Sequence, residues 1–228
     1  MACILLIESS SQTGSIAVSI DGKLAWNQEN TEFFSHSAVM GGYIVEAIQF
    51  IKKINLRLDA VAVSEGPGSY TGLRIGISLA KGLCYGLDIS LIAIPTLKIM
   101  ATRFAHSFSC LCPIIDARRM EVYTALYDGN LNEIEPVQAI IVNENSFRDL
   151  LAQKEVVFFG SGIDKCKPYI SSQNAVFIDC VFPSASNMIV EAENAYMKKE
   201  FVNVAYFEPF YLKEFQATNP KNKLIQTK

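Results

Sequence analysis

The pattern of hydrophobic and polar positions runs through the same order twice along the chain. In the first half, the continuous apolar run Cys3–Ile7 is followed by an alternating run, Ser15–Ile20. The pair Asp21-Gly22 then favours a hairpin turn into a third run, 23–28. A continuous apolar run is typical of a strand buried on both faces, and alternation is typical of a half-buried strand. The pattern therefore predicts three antiparallel strands at the start of the chain.

The second half repeats this plan. Leu111–Ile115 is an apolar run, Glu121–Tyr127 is a second strand, and Asp128-Gly129 favours a hairpin into a third strand within 131–142. Further strands are predicted at 59–64, 89–94, 156–159 and 175–179, and shorter helices at 95–106, 146–152 and 185–200. We therefore expect an α/β protein of two lobes, 1–107 and 108–213. The remaining residues, 214–228, contain no cluster of apolar residues and are expected to form a mobile tail.

Two longer helices, 37–53 and 71–86, carry more apolar surface than one sheet can cover. In the second, Arg74 and Lys81 are the only charged residues. A helix that is apolar on all sides is buried on all sides. Gly72, Gly76 and Gly82 each cost roughly 1 kcal/mol relative to alanine, so each needs a reason. The expected reason is close approach of a second helix, which belongs either to this chain or to a partner.

Composition narrows the function. The chain has 228 residues, half of them hydrophobic, and a net charge of -3, so nothing favours nucleic-acid binding over the whole surface. The six cysteines fit neither a disulfide framework nor zinc spacing, and reduced, packed thiols are expected. No signal-peptide pattern and no apolar segment of about 20 residues occurs, so the expected compartment is the cytoplasm, without a membrane association.

Candidate chemistry is sparse. Glu8, Ser9 and Ser10 end the first strand in a polar turn that could hold a metal-bound phosphate, although an ordinary turn explains the same residues. Asp116 and the glycine-rich turn Gly160-Ser161-Gly162 could bound the same nucleotide site as Glu8, although ordinary turns explain these residues as well. Neither common nucleotide-binding glycine motif fits residues 66–72. His36 lacks a second histidine one helical turn later, because that position is Met40, so no metal site is predicted.

A set of motifs resembles one family. These are I-L-L-I-E-S-S near the start, S-H-S at 35–37, S-E-G-P-G-S-Y-T-G-L-R-I-G at 64–76, I-D-A-R-R-M-E-V-Y at 115–123 and E-P-F-Y-L-K at 208–213. Together they resemble the bacterial TsaB (YeaZ) family, which is required for making threonylcarbamoyladenosine in transfer RNA. The chain departs from the family pattern at Glu8, where an aspartate is usual.

The resemblance implies a two-lobed fold of the actin, hexokinase and ribonuclease H type. It also implies that the protein is a degenerate, non-catalytic relative of TsaD, the subunit that transfers the threonylcarbamoyl group. TsaD-type catalysis resembles metal-dependent chemistry that rests on an H-x-x-x-H pair of histidines, and this sequence has Met40 in place of the second histidine. Implied partners are TsaD, the TsaE ATPase and a second copy of the chain, with tRNA bound only indirectly. No cofactor is expected, and ATP with magnesium enters only through the complex.

The partner surface is expected on the two long helices of the first lobe. The predicted contacts are His36, Val39, Met40, Tyr43, Ile44, Ala47, Gly72, Arg74, Ile75, Gly76 and Leu79. The alternative function is a nucleotide-binding ATPase or a glycoprotease-like peptidase with its own activity. The sequence provides no nucleophile with a convincing base for hydrolysis, since neither histidine lies in a recognisable motif.

Overall fold

A computed structural model describes residues 2–30 and 36–213, with side chains described from 39 onward in the second range. The expected opening strands form one five-stranded sheet with two later strands. Its members are β1 (Cys3–Glu8), β2 (Gly14–Ile20), β3 (Lys23–Asn30), β4 (Ala60–Gly66) and β5 (Ser90–Pro95). The order is β3-β2-β1-β4-β5, with the first three strands antiparallel and β1, β4 and β5 parallel.

The second half builds the same sheet again. Its strands are β6 (Cys110–Asp116), β7 (Glu121–Asp128), β8 (Glu133–Ile141), β9 (Val156–Phe159) and β10 (Ala175–Ile178). Read from β8, the order is β8-β7-β6-β9-β10, and each strand has the pairing sense of its counterpart in the first sheet. The predicted duplicated, two-lobed α/β fold is therefore confirmed.

Six α-helices connect the strands in the described ranges. They are α1 (His36–Lys53), α2 (Tyr70–Leu87), α3 (Thr96–Thr102), α4 (Arg148–Gln153), α5 (Ile163–Cys166) and α6 (Ile189–Lys198). The prediction of a helix to residue 106 is wrong, because α3 ends at Thr102 and turns follow it. The predicted helix 185–200 begins as a 3-10 turn, Ala185–Met188, and α5 was not predicted. None of the helices described is long and apolar enough to cross a membrane.

The two faces of the first sheet are covered by different parts of the chain. Apolar residues of α1 and α2 pack on one face, where Leu5, Val61 and Ile77 belong to one buried cluster. The 3-10 turn and α6 pack on the other face through Met188 and Ala192. Residues 185–198 therefore complete the core of the first sheet, although the predicted boundary counts them with the second lobe.

The two lobes share a hydrophobic cluster. Leu97 and Met100 of α3 pack against Leu111, Tyr127 and Phe159 of the second sheet. After α6 the chain returns to the first lobe: the Val202 amide donates to Leu91 O at 2.9 Å. Five of the six cysteines are buried as expected, whereas Cys180 is exposed, and none of them forms a disulfide. The predicted mobile tail, 214–228, lies outside the described residues.

Candidate functional site

The glycines at the start of α2 fit against the turn that follows β1. A Cβ added at Gly72 would lie 2.0 Å from Ser9 O, and one at Gly76 would lie 2.1 Å from Ser9 Oγ. Ser9 Oγ donates to Gly72 O at 2.8 Å, and the Ser69 amide donates to Ser10 O at 2.6 Å. The expected reason for Gly72 and Gly76 is therefore wrong: they permit close approach of this turn, not of a second helix. We call this contact the α2 seam.

The seam buries Glu8 completely. Glu8 Oε1 accepts hydrogen bonds from the Ser10 amide at 2.6 Å and from Ser10 Oγ at 2.5 Å. Within the described chain, Glu8 Oε2 and Ser64 Oγ are buried without a well-formed hydrogen bond. Burial raises the pKa of Glu8 from 4.5 to about 7, and the hydroxyls of Ser10 and Ser64 oppose this shift. Ser9 and Ser10 are also buried, so neither of these side chains is open to a phosphate.

Replacing Glu8 by glutamine should stabilise the protein at alkaline pH. The folded chain holds the Glu8 proton more tightly than the unfolded chain does, so the free energy of unfolding of the wild type falls as pH rises from 4.5 to about 7. Glu8→Gln removes this loss. We expect the variant to gain roughly 3 kcal/mol at pH 8, with little change at pH 4.5. Urea unfolding at both pH values measures the difference; an equal effect at both would contradict the burial of an ionisable carboxyl.

The second candidate group, around Asp116, is arranged differently. The Asp116 carboxylate is ion-paired with Lys165 and accepts from the Arg118 amide at 2.6 Å. The Asp116 amide donates to Ser161 Oγ at 3.1 Å. A Cβ at Gly160 would lie 2.3 Å from Ile114 O, so packing against β6 accounts for that glycine.

Gly162 is explained in the same way, because its added Cβ would lie 2.6 Å from Ile114 Cγ2. In the ranges that the structure describes, no hydrogen bond or ion pair joins Glu8, Ser9 or Ser10 to Asp116 or Ser161. The structure thus gives the predicted nucleotide-binding residues contacts within the fold: close packing at Ser9, Gly160 and Gly162, and hydrogen bonds or an ion pair at Glu8, Ser10, Asp116 and Ser161.

The predicted partner residues divide between the core and the surface. Five of them are buried in this chain's own core and cannot contact a partner, so those predictions are wrong: Met40, Ile44, Ala47, Gly72 and Gly76. Met40, Ile44 and Ala47 lie on the inner stripe of α1 and pack in the core of the first sheet, and Gly72 and Gly76 face the turn after β1. Arg74 is exposed. Val39, Tyr43, Ile75 and Leu79 are partly exposed, and the His36 side chain lies outside the described residues.

The outer face of α2 forms a shallow open groove of about 490 Å³, lined by Tyr70, Thr71, Arg74, Ile75, Ser78 and Leu79. We call this the α2 groove. A Cβ added at Gly82 would meet nothing within 4 Å, and Tyr85 on the next turn is 87 % exposed. This outer face is therefore partly apolar and sterically open. The prediction that the helix is buried on all sides is wrong, because Arg74, Ser78 and Tyr85 are exposed in this chain.

The C-terminal segment fixes the Arg74 side chain. Arg74 Nε donates to Tyr211 Oη at 2.9 Å, and its guanidinium lies 4.1 Å from the centre of the Tyr70 ring. The Tyr70 and Tyr211 ring centres are 5.0 Å apart. The Tyr211 hydrogen bond raises the pKa of Arg74. Tyr70 and Tyr211 were not predicted as site residues, although the motif E-P-F-Y-L-K at 208–213 had marked this segment.

The segment is also held along the length of α2. Lys81 Nζ donates to Ala205 O at 3.2 Å and to Phe207 O at 2.9 Å, and the Phe210 amide donates to Glu65 O at 2.8 Å. These contacts follow α2 from its start to its third turn. Residues 205–211 therefore form one wall beside the α2 groove.

Comparison with known proteins agrees with the two-lobed fold. The family model of TsaD, tRNA N6-adenosine threonylcarbamoyltransferase, matches residues 34–221. A tRNA threonylcarbamoyladenosine biosynthesis protein TsaB from Buchnera aphidicola subsp. Baizongia pistaciae is 31% identical over 75% of this chain and 82% of its own length. The protein of the same name from Bacillus subtilis is 40% identical, but the match covers 45% of this chain and 46% of that protein.

A solved structure supports the fold. YeaZ from Pseudomonas aeruginosa superposes with a TM-score of 0.79 over 93% of this chain and 100% of its own, at 22% identity. At that identity the structural match supports the fold alone, and the fold that it supports is the one with the duplicated sheets. Because the family model covers most of the chain and a TsaB protein is more than 30% identical over most of both lengths, the chain belongs to the TsaB (YeaZ) family of tRNA threonylcarbamoyladenosine biosynthesis proteins.

Proposed function

We propose that this protein acts in threonylcarbamoyladenosine formation in tRNA as a non-catalytic partner of a TsaD-like transferase, which it binds through the α2 groove. The observation that supports this most is the contrast between two surfaces. Of the residues suited to chemistry, Glu8, Ser9 and Ser10 are buried in the α2 seam, and Asp116 is exposed but ion-paired with Lys165. The outer face of α2 is open and partly apolar. A buried acid cannot meet a substrate, whereas an open apolar groove can receive a second protein.

The α2 groove has the chemistry of a protein interface. Ile75 and Leu79 provide apolar contact area, and aromatic residues with arginine are enriched at the centre of such interfaces. Arg74 is already held against the Tyr70 ring and by the Tyr211 hydroxyl, so a partner would order fewer side chains on binding. Gly82 permits a partner backbone to approach α2 closely. Val39 and Tyr43 of α1 extend the same proposal to the neighbouring helix.

The wider assembly follows from this proposal. A TsaE-like ATPase joins the pair, and tRNA reaches the complex mainly through the transferase. A homodimer of this chain that uses the same helices would exclude the transferase, so the two states would compete. This chain has no cofactor of its own, and ATP with magnesium enters only in the complex with the TsaD-like and TsaE-like subunits. The proposed place of action is the cytoplasm.

Mixing purified proteins tests the proposal. We expect the chain to co-elute with the TsaD-like subunit of the same cell in size-exclusion chromatography, and the TsaE-like ATPase to join when Mg-ATP is added. Calorimetry of the isolated chain with Mg-ATP should give no binding heat. Tight ATP binding by the isolated chain, lost in Asp116→Ala, would instead support the alternative of an active nucleotide-binding enzyme. Peptide hydrolysis by the isolated chain would support the peptidase alternative.

A further inference from the structure

The turn between β6 and β7 is the counterpart, in the second lobe, of the turn that ends β1. Both turns follow the central strand of a sheet with the same order. In the first turn, the side chains of Ser9 and Ser10 are buried in the α2 seam, whereas Gln12 is exposed. The second carries Arg118 and Arg119 and is exposed. The two equivalent turns therefore differ in what they present: the first buries its two serines, and the second exposes two cations.

The backbone at this turn is held in a conformation that arginine rarely adopts. Arg118 has φ 69° and Arg119 has φ 51°, both in the left-handed region that favours glycine and asparagine. Hydrogen bonds fix the turn: the Ala117 amide donates to Glu121 O at 3.1 Å, and the Glu121 amide donates to Arg118 O at 3.2 Å. A strained position occupied by a charged residue is a reason to look for a role of the charge.

The neighbouring carboxylates do not neutralise these arginines. Asp116 pairs with Lys165, and Glu121 pairs with Lys213. Within residues 2–30 and 36–213, the side chains of Arg118 and Arg119 have no ion pair or hydrogen bond. Four cationic side chains and two carboxylates thus meet at one tip, in a chain whose net charge is -3. The tip is a local basic patch on an acidic protein.

We propose that Arg118 and Arg119 bind phosphate groups of the tRNA backbone in the complex described above, so this inference rests on the proposed function. A guanidinium matches a phosphate with paired hydrogen bonds, and it remains charged at any physiological pH. Phosphate contacts position an RNA without reading its sequence, which suits an exposed turn. A free nucleotide would also need a cleft for its base. The patch gives this acidic chain a direct, local contribution to RNA binding.

The double variant Arg118→Asn/Arg119→Asn tests the proposal. Asparagine tolerates the left-handed conformation, so the variant loses both charges while the turn is retained. We expect the assembled complex to bind labelled tRNA roughly 5–10-fold more weakly at about 0.1 M salt, with a salt dependence shallower by about 1–2 in the log–log slope. The melting temperature of the isolated variant should be no lower than that of the wild type. Fluorescence anisotropy over a salt series measures the binding.

Two further variants serve as controls. Arg57→Asn/Arg148→Asn removes the same charge from two other exposed positions and should change binding less than 2-fold. Arg118→Lys/Arg119→Lys keeps the charge and should bind between the wild type and the asparagine variant. The inference is overturned if the asparagine variant binds tRNA as the Arg57/Arg148 control does. It is also overturned if the variant loses the transferase subunit instead of tRNA, because the arginines then contact protein.

The two proposals fail in different ways. If the wild-type chain does not bind the transferase subunit, the proposed function fails. The inference is then tested by measuring tRNA binding to the isolated chain at about 20 mM salt. The wild type should bind tRNA more tightly there than the Arg118→Asn/Arg119→Asn variant does. If the complex forms and the Arg118→Asn/Arg119→Asn variant binds tRNA as tightly as the Arg57→Asn/Arg148→Asn control, only the inference fails. Mg-ATP titrated into the isolated chain distinguishes the phosphate sources, since ATP binding lost in the asparagine variant would overturn the assignment to RNA.

Discussion

Gly72→Ala should destabilise this protein by roughly 3–5 kcal/mol, more than overpacking usually does. The added methyl would lie 2.0 Å from Ser9 O, a backbone atom that cannot rotate away. To accept it, α2 or the turn after β1 must shift, and Ser9 Oγ would then lose its hydrogen bond to Gly72 O. Urea or thermal unfolding measures the loss, which corresponds to a fall in melting temperature of roughly 10 °C in a chain of this size.

Gly82→Ala on the same helix is the matched control. Its methyl would meet nothing within 4 Å, so only helix propensity changes, and we expect a gain of up to about 1 kcal/mol. Because the expected changes in the free energy of unfolding have opposite signs, the two variants distinguish the contact at the α2 seam from the general effect of glycine on helix stability. Equal destabilisation by Gly72→Ala and Gly82→Ala would show that the seam is not the reason for these glycines.

A second pair of variants examines the seam from its other side. A methyl at Gly76 would lie 2.1 Å from Ser9 Oγ, which belongs to a side chain. Ser9→Ala removes that oxygen, so the double variant Ser9→Ala/Gly76→Ala should lose less free energy of unfolding than the two single losses together. The expected coupling is about 1–2 kcal/mol, within the range for residues in contact. If the free energy lost by the double variant equals the sum of the two single losses, the methyl at Gly76 does not clash with Ser9 Oγ.

Ser78→Arg should abolish most binding to the TsaD-like transferase without unfolding the chain. Ser78 lines the α2 groove and is exposed, so a long charged side chain there fills the groove at little cost to the fold. Disruption of a central interface position costs about 2 kcal/mol or more, so we expect at least roughly 30-fold weaker binding. Calorimetry or chromatography with the transferase subunit measures the change, and the melting temperature verifies the fold.

Asn194→Arg is the matched control for this test. Asn194 is an exposed position of α6, which packs on the opposite face of the first sheet. The control adds the same charge and volume and should bind the transferase as the wild type does. If Ser78→Arg and Asn194→Arg both bind with wild-type affinity, the α2 groove is not the partner surface, and the proposed function loses its main support.

The sequence predicted most of the strands because their signals are local. Asp21-Gly22 and Asp128-Gly129 mark the hairpins, and continuous apolar runs mark the central strands, so the duplicated order followed from the pattern. The errors at α3, α5 and the 3-10 turn concern short helices. Such helices form only because tertiary contacts stabilise them, so their ends are weakly marked in the sequence.

The partner surface was predicted less well. Periodicity identified the apolar stripes of α1 and α2, but the stripe that the sequence marks most strongly is the one that packs on the first sheet. Met40, Ile44 and Ala47 were therefore assigned to a partner although they are core residues. Arg74, Ile75 and Leu79 do line the α2 groove. Tyr211 lies 137 residues after Arg74, and no local pattern connects two residues so far apart.

The sequence by itself determined the strands, the two long helices, the duplicated plan and the family, because apolar periodicity, turn residues and motifs are properties of neighbouring residues. Only the tertiary structure decided what each feature does. It placed Gly72 and Gly76 against Ser9, buried Glu8, and brought Tyr211 to Arg74. The physical reason is that close contact and burial depend on which distant segments meet. A glycine in the sequence can indicate that some segment approaches closely, but it does not identify that segment.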